Sequence, residues 1–129
     1  MPAAKSLRVL VVDDQMSIRG VMRSYVKRLG IDNVDEAESG SAALKALTKQ
    51  PYHLVISDIN MENGSGLDLL KAMRAHPVLK RTPVIMVTGS SDKETVSSVV
   101  QAGVNGYVVK PVSFEALKQR VVHVLGALT

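Results

Sequence analysis

Short apolar runs alternate five times with longer segments of helical period along this chain, and that alternation leaves few folds open. Leu7-Arg8-Val9-Leu10-Val11-Val12 is β-branched and almost wholly apolar, the pattern of a strand buried on both faces. Ile18, Val21, Met22, Tyr25, Val26 and Leu29 follow at helical spacing and form one face of a helix that Gly30 ends. Asn33 to Ala37 reads as a weaker, edge-like strand, and Ser41 to Gln50 as a short helix carrying Leu44 and Leu47 and stopped by Pro51. His53 to Ser57 is a third strand. Gly66 to His76 is a helix with Leu67, Leu70 and Met73 on one side. Pro83 to Val87 is a fourth strand, with proline at its first position, where a missing N–H matters least. Lys93 to Ala102, with Val96, Val99 and Val100, is a helix closed by Gly103. Gly106 to Val109 is a fifth strand, and Phe114, Leu117, Val121, Val124, Leu125 and Leu128 line a last amphipathic helix. Strand–helix units in strict alternation imply an α/β fold: a doubly wound, five-stranded parallel sheet with helices on both faces and an expected strand order of 2-1-3-4-5.

Bulk properties exclude several function classes. The chain of 129 residues fits one domain, expected over 1–129 with its core at about 7–125 and no output domain. No apolar run approaches the roughly 20 residues that span a bilayer, and the segment before the first strand is too short and polar for a secretory signal. The absence of cysteine excludes a disulfide framework and thiolate metal sites, and a cytoplasmic location fits. The net charge of +4 comes from Lys and Arg spread along the chain. The few aromatics, Tyr25, Tyr52, Tyr107 and Phe114, offer no base-stacking platform, so neither nucleic acid nor membrane is expected as a partner. His53, His76 and His123 lack metal-ligand spacing and read as surface or structural. The methionines beyond Met1 read as core fillers.

In such sheets ligands bind beyond the C-terminal ends of the strands. Asp13 and Asp14 follow the first strand and Asp58, Ile59 and Asn60 the third, Thr88 ends the fourth with Gly89 after it, and Lys110-Pro111 end the fifth. Carboxylates, a hydroxyl and an ammonium therefore converge on one edge from four separate segments. Clustered carboxylates repel one another unless cations neutralise them. Lys110 supplies one positive charge, and a hard divalent ion, Mg²⁺ with Mn²⁺ as a substitute, is the natural second. An aspartate can act as a nucleophile toward phosphorus, and such a transfer needs mainly positioning and charge stabilisation. Each residue has a blander reading by itself: Asp13 and Asp14 as helix caps, Asp58 as a turn residue, Thr88 as an ordinary strand-end threonine, Lys110 as a solvated lysine. Only the joint pattern reverses these odds.

Val11-Val12-Asp13-Asp14, Asp58 after an apolar strand, Thr88 with a small residue after it, and Gly106-Tyr107-Val108-Val109-Lys110-Pro111 together resemble bacterial response regulator receiver domains, over about Leu7 to Leu125. The stretch Ala102-Gly103-Val104-Asn105-Gly106-Tyr107 is similar to single-domain chemotaxis regulators of the flagellar type. The resemblance implies a flavodoxin-like receiver with Asp58 as phosphoacceptor. Asp14, Asp58 and the Asn60 backbone carbonyl would ligate Mg²⁺, and Asp13 would act through a metal-bound water. Lys110 would pair with Asp58 and then with the phosphoryl group, and Thr88 would donate to a phosphoryl oxygen. The Lys110–Pro111 bond would be cis. It further implies Thr88 and Tyr107 as the switch, and an output face of Val96, Tyr107, Val109 and Arg120 on the fourth helix, fifth strand and fifth helix. Implied partners are a histidine kinase as phosphodonor, the flagellar motor switch or another protein target, and a phosphatase. The protein is expected to be a monomer that assists only its own phosphorylation and dephosphorylation.

The chain departs from the family pattern at Glu62, where proline is usual, and at Ser65, where aspartate is usual. Ser90 stands where flagellar regulators often carry glutamate, and Val112 where an aromatic is common. Residues flanking Asp58 differ, so phosphoryl lifetime stays open, and with it the choice between a motor signaller and a phosphate sink that drains the kinase. A haloacid-dehalogenase-like phosphatase would carry a second aspartate two residues past the nucleophile as general acid, where this chain has Asn60. A flavin- or dinucleotide-binding protein is weaker still, since the turn after the first strand has no glycine to admit a pyrophosphate. A receiver-like module without phosphorylation is disfavoured by the complete residue set.

Overall fold

The computed structural model describes residues 3–61, 64–89 and 93–128. The departures at Glu62 and Ser90 lie outside the described residues. Five strands form one parallel sheet: β1 (Arg8–Val12), β2 (Asn33–Ala37), β3 (Leu54–Asp58), β4 (Val84–Thr88) and β5 (Gly106–Val109). Their spatial order is β2-β1-β3-β4-β5, the expected doubly wound arrangement, and all four pairings are parallel. The helices are α1 (Met16–Arg28), α2 (Gly40–Lys49), α3 (Gly66–Ala75), α4 (Lys93–Gln101) and α5 (Phe114–Leu125).

Strand alternation sorts the core into two layers. Val9, Val11, Leu54, Ile56, Ile85 and Val87 pack with Met22 and Val26 of α1 and Leu117 and Val121 of α5. Leu10, Val12, Val55, Val84 and Met86 face the other way, against Leu47 of α2, Leu70 and Met73 of α3 and Val99 of α4. The central strands β3 and β4 are buried along their whole length, which explains why Leu54–Ile56 and Val84–Val87 are continuous apolar runs rather than alternating ones.

The helix ends follow local chemistry. The Oγ atoms of Ser39, Ser65 and Ser113 accept from the backbone N–H groups of Ala42, Asp68 and Ala116, each at 3.1 Å, and so cap α2, α3 and α5. Gly30 and Gly103 adopt φ of 94° and 90° beyond the C-termini of α1 and α4, a region that favours glycine. Arg74 of α3 ties down the connection between α4 and β5. Its guanidinium donates to the Gly103 carbonyl at 3.0 Å, the Thr82 carbonyl at 2.8 Å and Asn105 Oδ1 at 2.9 Å. Asn105 Oδ1 also accepts from the Val84 N–H at the start of β4.

Three apolar positions differ from expectation. Met16, expected in the core, is 76% exposed, because it opens α1 on the solvent side. Val21 and Val100 are exposed as well. The apolar stripes of α1 and α4 are thus narrower than the sequence suggests, with burial concentrated at Met22, Val26 and Val99. Among the described residues no helix is long and apolar enough to cross a membrane.

Candidate functional site: an acidic cluster at the carboxyl edge of the sheet

The C-terminal ends of β1, β3, β4 and β5 bring the expected groups together. Asp13, Asp14 and Asp58 each present a carboxylate oxygen within 4.8 Å of the others. Asp13 and Asp58 are buried and Asp14 is half-buried. Asp58 is the last residue of β3 rather than the first of the following loop, so ladder pairing holds its backbone opposite Val87. Lys110 Nζ donates to Asp58 Oδ2 at 3.1 Å. The other oxygen, Oδ1, is buried and has no hydrogen-bond partner among the described residues.

The acidic turn after β1 is fixed on every side. The Asp13 N–H donates to the Ala37 carbonyl at 3.1 Å, and Asp13 Oδ1 accepts from the Gln15 N–H at 2.8 Å. Arg19 of α1 donates from Nη1 to the Asp13 carbonyl at 2.7 Å and from Nε to Glu36 Oε1 at 3.1 Å. Arg23 reaches the second Glu36 oxygen at 3.2 Å. The N-cap position of α1 falls at Gln15, so neither aspartate occupies it. Burial pushes the Asp13 carboxyl above its ordinary value. The Gln15 N–H opposes that shift, Asp58 adds to it, Lys110 opposes it and Asp14 adds to it.

Thr88 closes β4 and is buried. Its carbonyl accepts from the Lys110 N–H at 2.7 Å, which fastens the threonine segment to the lysine segment. The Lys110–Pro111 bond is cis. Past Asp58, Asn60 and Met61 pair with Ser65 and Gly64 in a short antiparallel ladder that the sequence did not announce, and this ladder holds the Asn60 backbone. Gly66 closes the same turn: its N–H donates to the Ile59 carbonyl at 2.7 Å, and the space a side chain would need there is taken by the Asp58 carbonyl oxygen.

Of the expected output residues, Val96 and Tyr107 are half-buried and Val109 and Arg120 are exposed. Met86 pairs with Tyr107 and Thr88 with Val109 across β4 and β5, and Tyr107 packs on the α4 side of the sheet. Val112, at the position where an aromatic is common, lines an apolar cleft of about 340 Å³ with Ile18, Met22, Val87, Lys110 and Pro111. Sequence reasoning passed over Arg19, Arg74 and Gly66. Arg19 and Gly66 act through backbone atoms, for which the only advance signals were an arginine one turn past an acidic pair and a glycine at a helix start.

A donor set made only of carboxylate oxygens, gathered around a buried oxygen with no hydrogen-bond partner among the described residues, suits a hard divalent cation and not a soft one. A parallel sheet of this order with such a cluster at its carboxyl edge is the arrangement of a receiver domain, and the family model for the response regulator receiver domain matches residues 9–122. The chain belongs to that family. It is 40% identical over 116 residues to chemotaxis protein CheY-3 of Vibrio cholerae, spanning 90% of this chain and 89% of that protein. It is 38% identical over 115 residues to chemotaxis protein CheY of Pseudomonas aeruginosa, spanning 89% and 93%. The solved structure of Vibrio cholerae CheY4 superimposes with a TM-score of 0.86 at 32% identity, over 92% of this chain and 98% of that one. A response regulator from Chloroflexus aurantiacus does so with 0.87 at 29% identity, over 97% and 98%.

Proposed function

We propose that this protein is a cytoplasmic chemotaxis receiver that takes a phosphoryl group from a histidine kinase onto Asp58 and thereby changes its affinity for a protein target such as the flagellar motor switch. One observation carries the reading. The Asp58 carboxylate is buried among acidic neighbours, with Oδ2 held by Lys110 and Oδ1 without a hydrogen-bond donor among the described residues. A buried carboxylate so arranged is costly to the fold, and groups held at such a cost cluster at functional sites.

Asp14, Asp58 and the Asn60 carbonyl would hold Mg²⁺, with Asp13 contributing through water. When bound, the ion supplies neutralising charge for the carboxylates and the phosphoryl oxygens. The protein's own groups do the rest. A carboxylate oxygen of Asp58 forms a bond to phosphorus as the P–N bond of the donor phosphohistidine breaks, and the imidazole nitrogen leaves with the electron pair. Lys110 pairs first with Asp58 and then with the transferred group, and the Thr88 hydroxyl donates to a phosphoryl oxygen.

Readout follows from the shared face of β4 and β5. A phosphoryl group adds charge and acceptor oxygens, draws the Thr88 hydroxyl toward it and leaves room for Tyr107 to move in. The surface of Val96, Tyr107, Val109 and Arg120 on α4, β5 and α5 then changes shape. Similarity to chemotaxis proteins over about nine-tenths of the chain supports this assignment.

Intact mass after incubation with Mg²⁺ and acetyl phosphate tests the chemistry, with Asp58→Asn as control and beryllofluoride as a stable mimic. A Mg²⁺-dependent adduct on the native protein alone is expected; failure of both phosphate and mimic to engage Asp58 overturns the proposal. Phosphorylation-dependent binding to a motor-switch peptide is expected of a signaller, and its absence with normal phosphorylation would assign a phosphate sink instead. Tyr107→Ala that leaves target binding fully phosphorylation-dependent would remove Tyr107 from the switch.

A further inference from the structure

The guanidinium of Arg19 spans two acceptors of different kinds, the backbone carbonyl of Asp13 at 2.7 Å and the carboxylate of Glu36 at 3.1 Å. Its side chain is only 13% exposed, although the residue lies on a surface helix. From this bridge we infer that Arg19 is a positioning residue for Mg²⁺ uptake, fixing the Asp13–Asp14 turn without adding its charge to the acidic cluster. The inference rests on the metal-dependent reading above.

Asp13 follows the last residue of β1, where the ladder ends and the backbone must leave the sheet. Its N–H is held by the Ala37 carbonyl and its side chain by the Gln15 N–H. The remaining backbone group, the carbonyl linking Asp13 to Asp14, is held by Arg19. That peptide unit sets the relative orientation of the two side chains, so fixing its oxygen fixes how the two carboxylates are presented together. A planar fork suits this task, because it can reach two acceptors along set directions, whereas an ammonium is a single point on a flexible stem.

Charge points the same way. A bare cation one turn from three carboxylates would compete with a divalent ion for them. Glu36 prevents this: its carboxylate pairs with Arg19 through one oxygen and with Arg23 through the other. The charge balance of Arg19 is therefore struck with β2, away from the cluster. The work of Arg19 on the acidic turn is thus geometric. Outer partners that orient metal ligands are worth about 10- to 100-fold in metal affinity.

The test is titration of the full chain with MgCl₂, followed by calorimetry and by amide chemical shifts, with hydrogen exchange of the Asp13, Asp14 and Gln15 amides measured before any metal is added. Arg19→Ala is expected to bind Mg²⁺ about tenfold more weakly and to exchange those amides faster while retaining its circular dichroism. Arg19→Lys keeps a positive partner for Glu36 but loses the fork, and is expected to weaken binding several-fold. Arg23→Ala, which shares Glu36 but does not touch Asp13, is expected to bind within about twofold of wild type. Wild-type affinity in folded Arg19→Ala and Arg19→Lys would overturn the inference while leaving the proposed function standing. Equal weakening by Arg23→Ala would also overturn it, because loss of basic charge would then be the cause. A wild-type protein that takes up no Mg²⁺ overturns this inference and the proposed function together.

Discussion

Gly66→Ala offers a sharp test of how the proposed phosphoacceptor, Asp58, is held. A methyl group at this position would meet the carbonyl oxygen of Asp58 at a separation no real side chain tolerates, and would lie 3.0 Å from both the Asp58 carbonyl carbon and Ile59 Cα. Ordinary carbon–carbon contact begins at about 3.5 Å, so those two atoms must retreat by roughly 0.5 Å and the oxygen by more. All three belong to the backbone, and the Gly66 N–H is already committed to the Ile59 carbonyl at 2.7 Å, so no flexible side chain can absorb the strain. Forced overpacking of this kind costs about 1–3 kcal/mol. The displacement falls on Asp58, the proposed phosphoacceptor, and a misplacement on the order of 1 Å can cost about a hundredfold in rate. We therefore expect Gly66→Ala to lower the urea midpoint and to slow phosphorylation by acetyl phosphate at saturating Mg²⁺ by about ten- to a hundredfold. The two measurements separate the effects, since rate is read on protein that is folded at the assay temperature. A variant with the wild-type midpoint and the wild-type rate would refute the reasoning.

The remaining predictions concern stability. Gly20→Ala is the counterpart substitution: Gly20 lies within α1 with nothing near its missing side chain, so alanine should stabilise the fold by about 0.5–1 kcal/mol in urea melts, and a lower midpoint would contradict this. Asp13 has a folded-state pKa above 3.8, so the native state keeps this proton to higher pH than the unfolded chain does, and stability falls as pH rises from 3.8 through the native value. Asp13→Asn should accordingly be more stable than wild type at neutral pH without Mg²⁺, with the advantage vanishing in acid; equal neutral stability would refute the assignment. Val112→Phe should fill the apolar cleft between α1 and the turn after Lys110 and raise the melting temperature by the equivalent of about 1 kcal/mol, and an unchanged melting temperature would show that the cleft cannot take the ring.

Much of this architecture is legible in the amino-acid sequence, and the reasons are local. The runs at Val9–Val12 and Val84–Val87 have the composition of doubly buried strands, and both lie in the middle of the sheet. Gly30 and Gly103 mark helix ends because the chain turns through positive φ there. A boundary shifts by a residue where hydrogen bonding rather than apolarity decides: the third strand runs on to include Asp58, while the fourth ends at Thr88 as the sequence suggests. Asp13, Asp14, Asp58 and Lys110 could be grouped from their order along the chain because parallel topology gathers strand ends on one edge, and the first three do converge while Lys110 contacts Asp58. What the sequence leaves hidden depends on backbone partners. The ladder at Asn60 and Met61 has no apolar signature, the guanidinium of Arg19 finds a carbonyl, and Gly66 matters for the atom it lies against. The exposure of Met16 is hidden for a related reason, since apolar content alone does not tell which way the first turn of a helix faces.

The clamp formed by Arg74 has a mechanical consequence. By grasping Gly103, Thr82 and Asn105 together, it moors the C-terminal end of α4 to the foot of β4, at the opposite side of the sheet from the acidic cluster. A rod pinned at its far end cannot slide or lift as a whole; it can only pivot. If phosphorylation draws on Thr88 as proposed, the expected movement of α4 is a swing about this end, largest at its first turn. The mooring is shared, because Asn105 also bonds Val84 through its own N–H and Oδ1, and it ties α4 to α3, the helix whose first residue, Gly66, lies against the Asp58 backbone.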